Sequence, residues 1–141
     1  LLADLREDPS PWKGIPTLSV IGHVHLQVAD HGRSAAFYTM LLGFKLTQRN
    51  VPGALFLSTG EYHHHIGLNV WAGAGASPPP PEAVGLMTFS VVVPERAAWE
   101  AVVNCVAEVG LPLRERLRGD FGEGVLVRDP DGNGVELWVE E

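Results

Sequence analysis

The chain reads as an α+β domain made of paired βαβββ modules, with two curved mixed sheets around a shared cleft and the helices outside. Three observations lead there. The order strand, helix, strand, strand, strand can be traced twice. Each traced helix ends on a glycine, Gly43 in the first half and Gly110 in the second, as helices commonly do. Between the two tracings lies a Gly/Pro-rich bridge at 73–82, whose four consecutive prolines (78–81) suit neither a helix nor a central strand.

Each element has its own signal. The first strand, near 19–28, alternates Val24, Leu26 and Val28 with His23, His25 and Gln27, the period of two of a half-buried strand. Asp30 is a good N-cap for a helix over 31–42, which carries Ala36, Phe37, Met40 and Leu41 at helical spacing. Shorter runs at 44–49, 54–58 and 64–71 complete a first half over 17–72. The second half, 83–141, starts with a strand near 85–93 that meets Pro94. A helix over 95–109 then directs Trp99, Val102, Val103 and Val106 inward. Strands near 112–117, 124–128 and 134–139 follow, the last two joined by Asp131-Gly132-Asn133-Gly134, strong turn chemistry. Residues 1–16 lack this periodicity and read as an N-terminal extension or interdomain linker.

The 141 residues suit one domain with one core. A formal charge of −7 argues against nucleic-acid or anionic-membrane partners. No run approaches the roughly 20 apolar residues of a membrane-spanning helix. The single cysteine, Cys105, sits in an apolar-periodic helix and reads as a small core residue. It excludes an internal disulfide and fits a reducing, cytoplasmic setting.

If each sheet buries one face under its helix, the opposite faces line a cleft. The alternation sends His23, His25 and Gln27 there from the first strand, and His65, Gly67, Asn69 and Trp71 from the fourth. Thr88 and Ser90 follow from the fifth, and Glu136 and Trp138 from the eighth. Of the run His63-His64-His65, only His65 is expected to point inward. Water alone would satisfy Gln27, Asn69, Thr88 and Ser90. It accounts less well for three imidazoles and a carboxylate on one face, and His23 with Glu136 reads as a candidate metal pair.

The segments IGHVHLQVADHGRSAAFYTMLLGF, EYHHHIGLNVWAG and RDPDGNGVELW together resemble the vicinal oxygen chelate superfamily, which includes glyoxalase I, bleomycin-resistance proteins and extradiol dioxygenases. The likeness is nearest to catechol 2,3-dioxygenase-like proteins. It implies His23 and Glu136 as metal ligands and His65 near a catalytic histidine that serves in proton transfer. His25, Asn69, Trp71, Thr88 and Trp138 are the expected substrate-binding residues. The implied cofactor is a divalent metal, Fe(II) or Mn(II), and the implied ligand a small aromatic or oxygen-chelating compound. The chain also resembles a C-terminal module of a longer protein, paired with an upstream module or forming a homodimer.

Three departures from the dioxygenase pattern stand out: Thr88 where a second metal histidine is expected, Leu126 in place of a substrate-holding tyrosine, and Phe121 in place of a loop histidine. Glyoxalase I fares no better, since its fourth-strand acidic ligand falls at Gly67. Two readings therefore stand: a metal-dependent dioxygenase-like enzyme, or a metal-free, degenerate small-molecule-binding module.

Overall fold

A computed structural model describes residues 13–113, 115–119 and 122–140. Most of the expected N-terminal extension (1–12) and the Phe121 substitution lie outside them. The order strand, helix, three strands occurs twice. The first half contains β1 (Val24–Gln27), α1 (His31–Ala36), β2 (Lys45–Gln48), β3 (Ala54–Ser58) and β4 (Ile66–Asn69). The second contains β5 (Thr88–Val93), α2 (Arg96–Glu108), β6 (Glu115–Gly119), β7 (Gly122–Arg128) and β8 (Gly134–Val139). Each half forms one four-stranded mixed sheet, ordered β1-β4-β3-β2 and β5-β8-β7-β6. In both, the first and last strands of the half pair in parallel and the rest are antiparallel.

The core lies between each sheet and its helix. Leu26, Val28, Leu57, Ile66 and Leu68 pack under Phe37 and Tyr38, while Val127, Val135, Leu137 and Val139 pack under Trp99 and Val106. Trp99 satisfies its indole N–H on the Leu137 carbonyl (2.9 Å), so this large ring is buried without an orphaned donor. Val102 and Val103, expected inward with them, are half-buried.

Two elements differ from the pattern-based reading. The first helix is α-helical only through Ala36 and continues as a π-helical turn, Phe37–Leu41, with Leu42 N–H donating to the Phe37 carbonyl (3.3 Å). Phe37 and Tyr38 are adjacent yet both buried, their rings edge to face at 5.0 Å. The wider turn accompanies this double burial. Gly43 then stops the helix with φ +77°, as its position suggested. The first strand begins at Val24, not near 19, because its partner β4 begins only at Ile66. Upstream, Leu18, Val20 and Ile21 are exposed and unpaired with any strand among the described residues.

The turn between β7 and β8 also fastens the halves together. Asp131 accepts hydrogen bonds from Ala29 N–H (2.8 Å) and the Ser34 hydroxyl (2.6 Å), both in the first half. Buried Asp129 accepts from the Tyr38 hydroxyl (2.8 Å). Asp129 also takes the Asp131 and Asn133 backbone N–H groups (2.9 Å each), which closes the turn.

Candidate functional site

On the open face of the first sheet, parallel pairing sets His25 beside Gly67, and antiparallel pairing sets Phe56 on the other side of Gly67. A Cβ on Gly67 would lie 2.6 Å from the His25 ring, so the glycine clears the space in which that imidazole lies. His25 also meets Trp71 edge-on at 5.1 Å and Phe56 at 6.0 Å. His23 is exposed, with its ring 4.5 Å from His64. His64 in turn stands 4.8 Å from Phe56 and 4.5 Å from His63.

Alternation assigned only His65 of the triple-histidine run to this face. The chain bends before β4 begins, and the bend swings His64 onto the face as well. The triple histidine was itself the signal. Burial and then the charges of His23, His63, His25 and His65 hold the His64 pKa below its usual value, and burial and His23 do the same for His25.

His65 is half-buried, and its Nδ1 lies 2.9 Å from the Ser58 hydroxyl and 3.3 Å from the Thr59 N–H. A backbone N–H can only donate, so Nδ1 accepts, and the neutral ring carries its proton on Nε2. In that tautomer the outward nitrogen donates a hydrogen bond. The expected role of taking a proton from substrate is therefore not prepared in this arrangement. Asn69, expected to contact substrate, is buried, with its amide donating to the Leu26 carbonyl (3.2 Å) and accepting from Trp71 N–H (3.2 Å). It stabilises the end of β4, since an unpaired buried amide would be costly.

On the second sheet, Glu136 Oε2 accepts from the Ser90 hydroxyl (2.7 Å) and the Trp138 indole N–H (3.1 Å). The Ser90 bond first, then that of Trp138, holds this carboxyl below the usual carboxylate range, against a smaller opposing effect of burial. Trp138 is buried over Gly124, where a Cβ would meet its ring at 2.8 Å.

A cavity of about 870 Å³ bridges the halves. Its polar wall is formed by His23, His65, Thr88 and Ser90, and its apolar wall includes Phe44 and Val91. Glu136, His25, Trp71 and Trp138 do not line it. The expected cleft between Trp71 and Trp138 is thus corrected: Trp71 is 60% exposed and bonds outward to the Pro52 carbonyl (3.1 Å), while Trp138 packs within its own sheet.

The family model described as the Glyoxalase/Bleomycin resistance protein/Dioxygenase superfamily matches residues 20–137. The chain belongs to this superfamily. It is 46% identical over 103 residues to the Catechol-2,3-dioxygenase of Bacillus subtilis (strain 168), covering 72% of this chain and 36% of that protein. It is 28% identical over 120 residues to Biphenyl-2,3-diol 1,2-dioxygenase 3 of Rhodococcus globerulus, covering 85% of this chain and 63% of that protein. The chain thus spans about a third of the length of the first and less than two thirds of the second. A glyoxalase/dioxygenase structure from Nostoc punctiforme has the same fold, with a TM-score of 0.72 at 21% identity, covering 95% of this chain and 99% of that one.

The metal site expected from the sequence takes its ligands from β1, β5 and β8. Here the β5 position is Thr88, a neutral hydroxyl and a weak donor to a divalent ion. One oxygen of Glu136 already holds Ser90 and Trp138, and the His23 ring lies against His64. Among the described residues, no group of three or more histidine, cysteine or acidic side chains is arranged to hold a metal ion. The expected set of His23 and Glu136 with a third ligand does not fit in this geometry. No helix among the described residues is long and apolar enough to cross a membrane.

Proposed function

We propose that this domain binds small aromatic diols as part of an extradiol-dioxygenase-type protein. The observation that carries the reading is the 46% identity to a catechol dioxygenase across most of the chain. The cavity supports it: about 870 Å³ lies within the range of roughly 300–1,000 Å³ common to small-molecule sites. Apolar lining beside His23, His65, Thr88 and Ser90 suits a planar hydrocarbon with two oxygens on one edge. In this pose the His65 Nε2–H donates to a diol oxygen, and the Ser90 oxygen, whose own proton goes to Glu136, accepts from the neighbouring diol hydroxyl.

A second reading, ring cleavage by this domain itself with Fe(II) or Mn(II), rests on the identity to a catechol dioxygenase, since His23 and Glu136 lack a third ligand among the described residues. One experiment separates the two. Catechol and 2,3-dihydroxybiphenyl are titrated into the untagged protein by calorimetry, and the iron-loaded protein is then exposed to oxygen and followed by absorbance. Diol binding that weakens at least several-fold in His65→Ala, without a ring-cleavage product, supports the binding reading. A product that vanishes in both His23→Ala and Glu136→Gln supports the second. No binding of either diol up to about 1 mM, an interaction weaker than about 4 kcal/mol, removes the first.

A further inference from the structure

Ser58 closes the apolar strand β3 and is fully buried there, although it carries a hydroxyl. A hydroxyl taken out of water needs a partner. Two acceptors are within reach, the Thr59 carbonyl at 3.0 Å and His65 Nδ1 at 2.9 Å, and the hydroxyl has one proton to give. The Thr59 N–H, 3.3 Å from Nδ1, already makes that nitrogen an acceptor. With the Ser58 proton on the Thr59 carbonyl, the Ser58 oxygen and Nδ1 would turn lone pairs toward each other at 2.9 Å. The proton therefore goes to Nδ1. The backbone keeps the two residues in register: His65 N–H donates to the Leu57 carbonyl (2.8 Å), and the His65 carbonyl accepts from Val24 N–H (3.0 Å). The Tyr62 ring lies against that of His65 at 4.8 Å, tilted by 34°.

We propose that Ser58 is a positioning residue, which fixes His65 in the tautomer with its proton on Nε2 and so makes it a hydrogen-bond donor in the cavity. Thr59 and His65 line the cavity, while Ser58 lies buried behind them and touches no ligand. The consequence for binding rests on the diol reading given above. Nε2–H donates to one ligand oxygen, and the Ser90 oxygen, whose own proton goes to Glu136, accepts from its neighbour. A donor and an acceptor fixed in this way select a vicinal pair of oxygens by hydrogen-bond polarity, and removal of the Ser58 hydroxyl blurs that choice.

The test reads the histidine ring nitrogens of the isotopically labelled chain by NMR, with the rings neutral, and the titration of catechol by calorimetry. The His65 signals are those lost in His65→Ala. The expected pattern is a proton on Nε2 and an Nδ1 signal displaced as in a bonded acceptor. Ser58→Ala, and the nearly isosteric Ser58→Cys with its weak thiol donor, should move the Nδ1 signal toward that of a free acceptor. Both should weaken catechol binding by about 2- to 10-fold, the range of one neutral hydrogen bond. Ser58→Thr, which keeps the hydroxyl, should retain signal and affinity, with circular dichroism checking that each variant folds. A proton on Nδ1 in the parent overturns the proposal, as does an Nδ1 signal unmoved in both Ser58→Ala and Ser58→Cys. So does an affinity that falls as far in folded Ser58→Thr as in Ser58→Ala, since packing and not the hydroxyl would then decide. A parent that binds no catechol removes the diol reading, and the Nδ1 signal still decides the role of Ser58.

Discussion

Tyr38 and Asp129 form the most consequential pair of side chains outside the candidate site. Both are buried, and the phenol donates to the carboxylate across the two halves at 2.8 Å. Burial first, then the charge of Asp129 and the bond to it, raises the Tyr38 pKa far above its ordinary value of 10.0. A raised folded-state pKa leaves stability intact below the unfolded value and erodes it above, because only the unfolded chain then releases the proton. We expect the parent to lose stability as pH climbs past about 10, and Tyr38→Phe to lack that part of the loss. At neutral pH the same variant should cost about 1–2 kcal/mol, read from denaturant unfolding at several pH values. His64 carries the opposite lesson about single residues. Its place in a triple-histidine run was visible, but the face it joins was not, because one bend overrides alternation.

The strands show how small residues set the position of large ones. Gly124 on β7 lies beneath the Trp138 ring, and a methyl group there would meet Cδ2 and Cε3 at 2.8 Å and the Leu137 carbonyl at 3.1 Å. The backbone carbonyl cannot yield as a flexible side chain would. Gly124→Ala should destabilise by about 1–3 kcal/mol, the range for forcing atoms into filled space. It should also loosen the Trp138 bond to Glu136, visible as a change in the indole N–H resonance. The strands themselves were legible from alternation, although β1 and β4 are shorter than the apolar runs suggested. A strand extends only as far as its partner does, and partner length is not written in the strand's own residues. The π-helical turn was likewise hidden, since helical spacing alone does not register two adjacent rings going inward.

One turn adds hydrogen bonds between the halves to a hydrophobic core that spans both. Asp131 bonds Ala29 N–H and Ser34, and Asp129 bonds Tyr38, so the turn between β7 and β8 is tied to α1 and to the π-helical turn after it. Asp131→Ala strands two donors at a partly buried contact and should cost about 2–3 kcal/mol. The cap variant Asp30→Ala, which loses one exposed bond to Arg33 N–H, should cost about 1 kcal/mol. Hydrogen exchange that accelerates in α1 and β1 in the Asp131 variant, more than in the cap variant, would show the halves separating. The motif Asp131-Gly132-Asn133-Gly134 was legible as a turn, but its grip on the other half was not.

Alternation, caps and stops were enough to establish a repeated strand and helix order with one buried face per sheet, because those signals concern neighbours along the chain. Contacts between strands settled the rest. Glu136 turned to Ser90 and Trp138, Asn69 to the backbone, and His23 to His64. Each polar group bonds or packs with whatever the fold brings within a few ångströms, and that distance is fixed by register and bends which local periodicity does not encode.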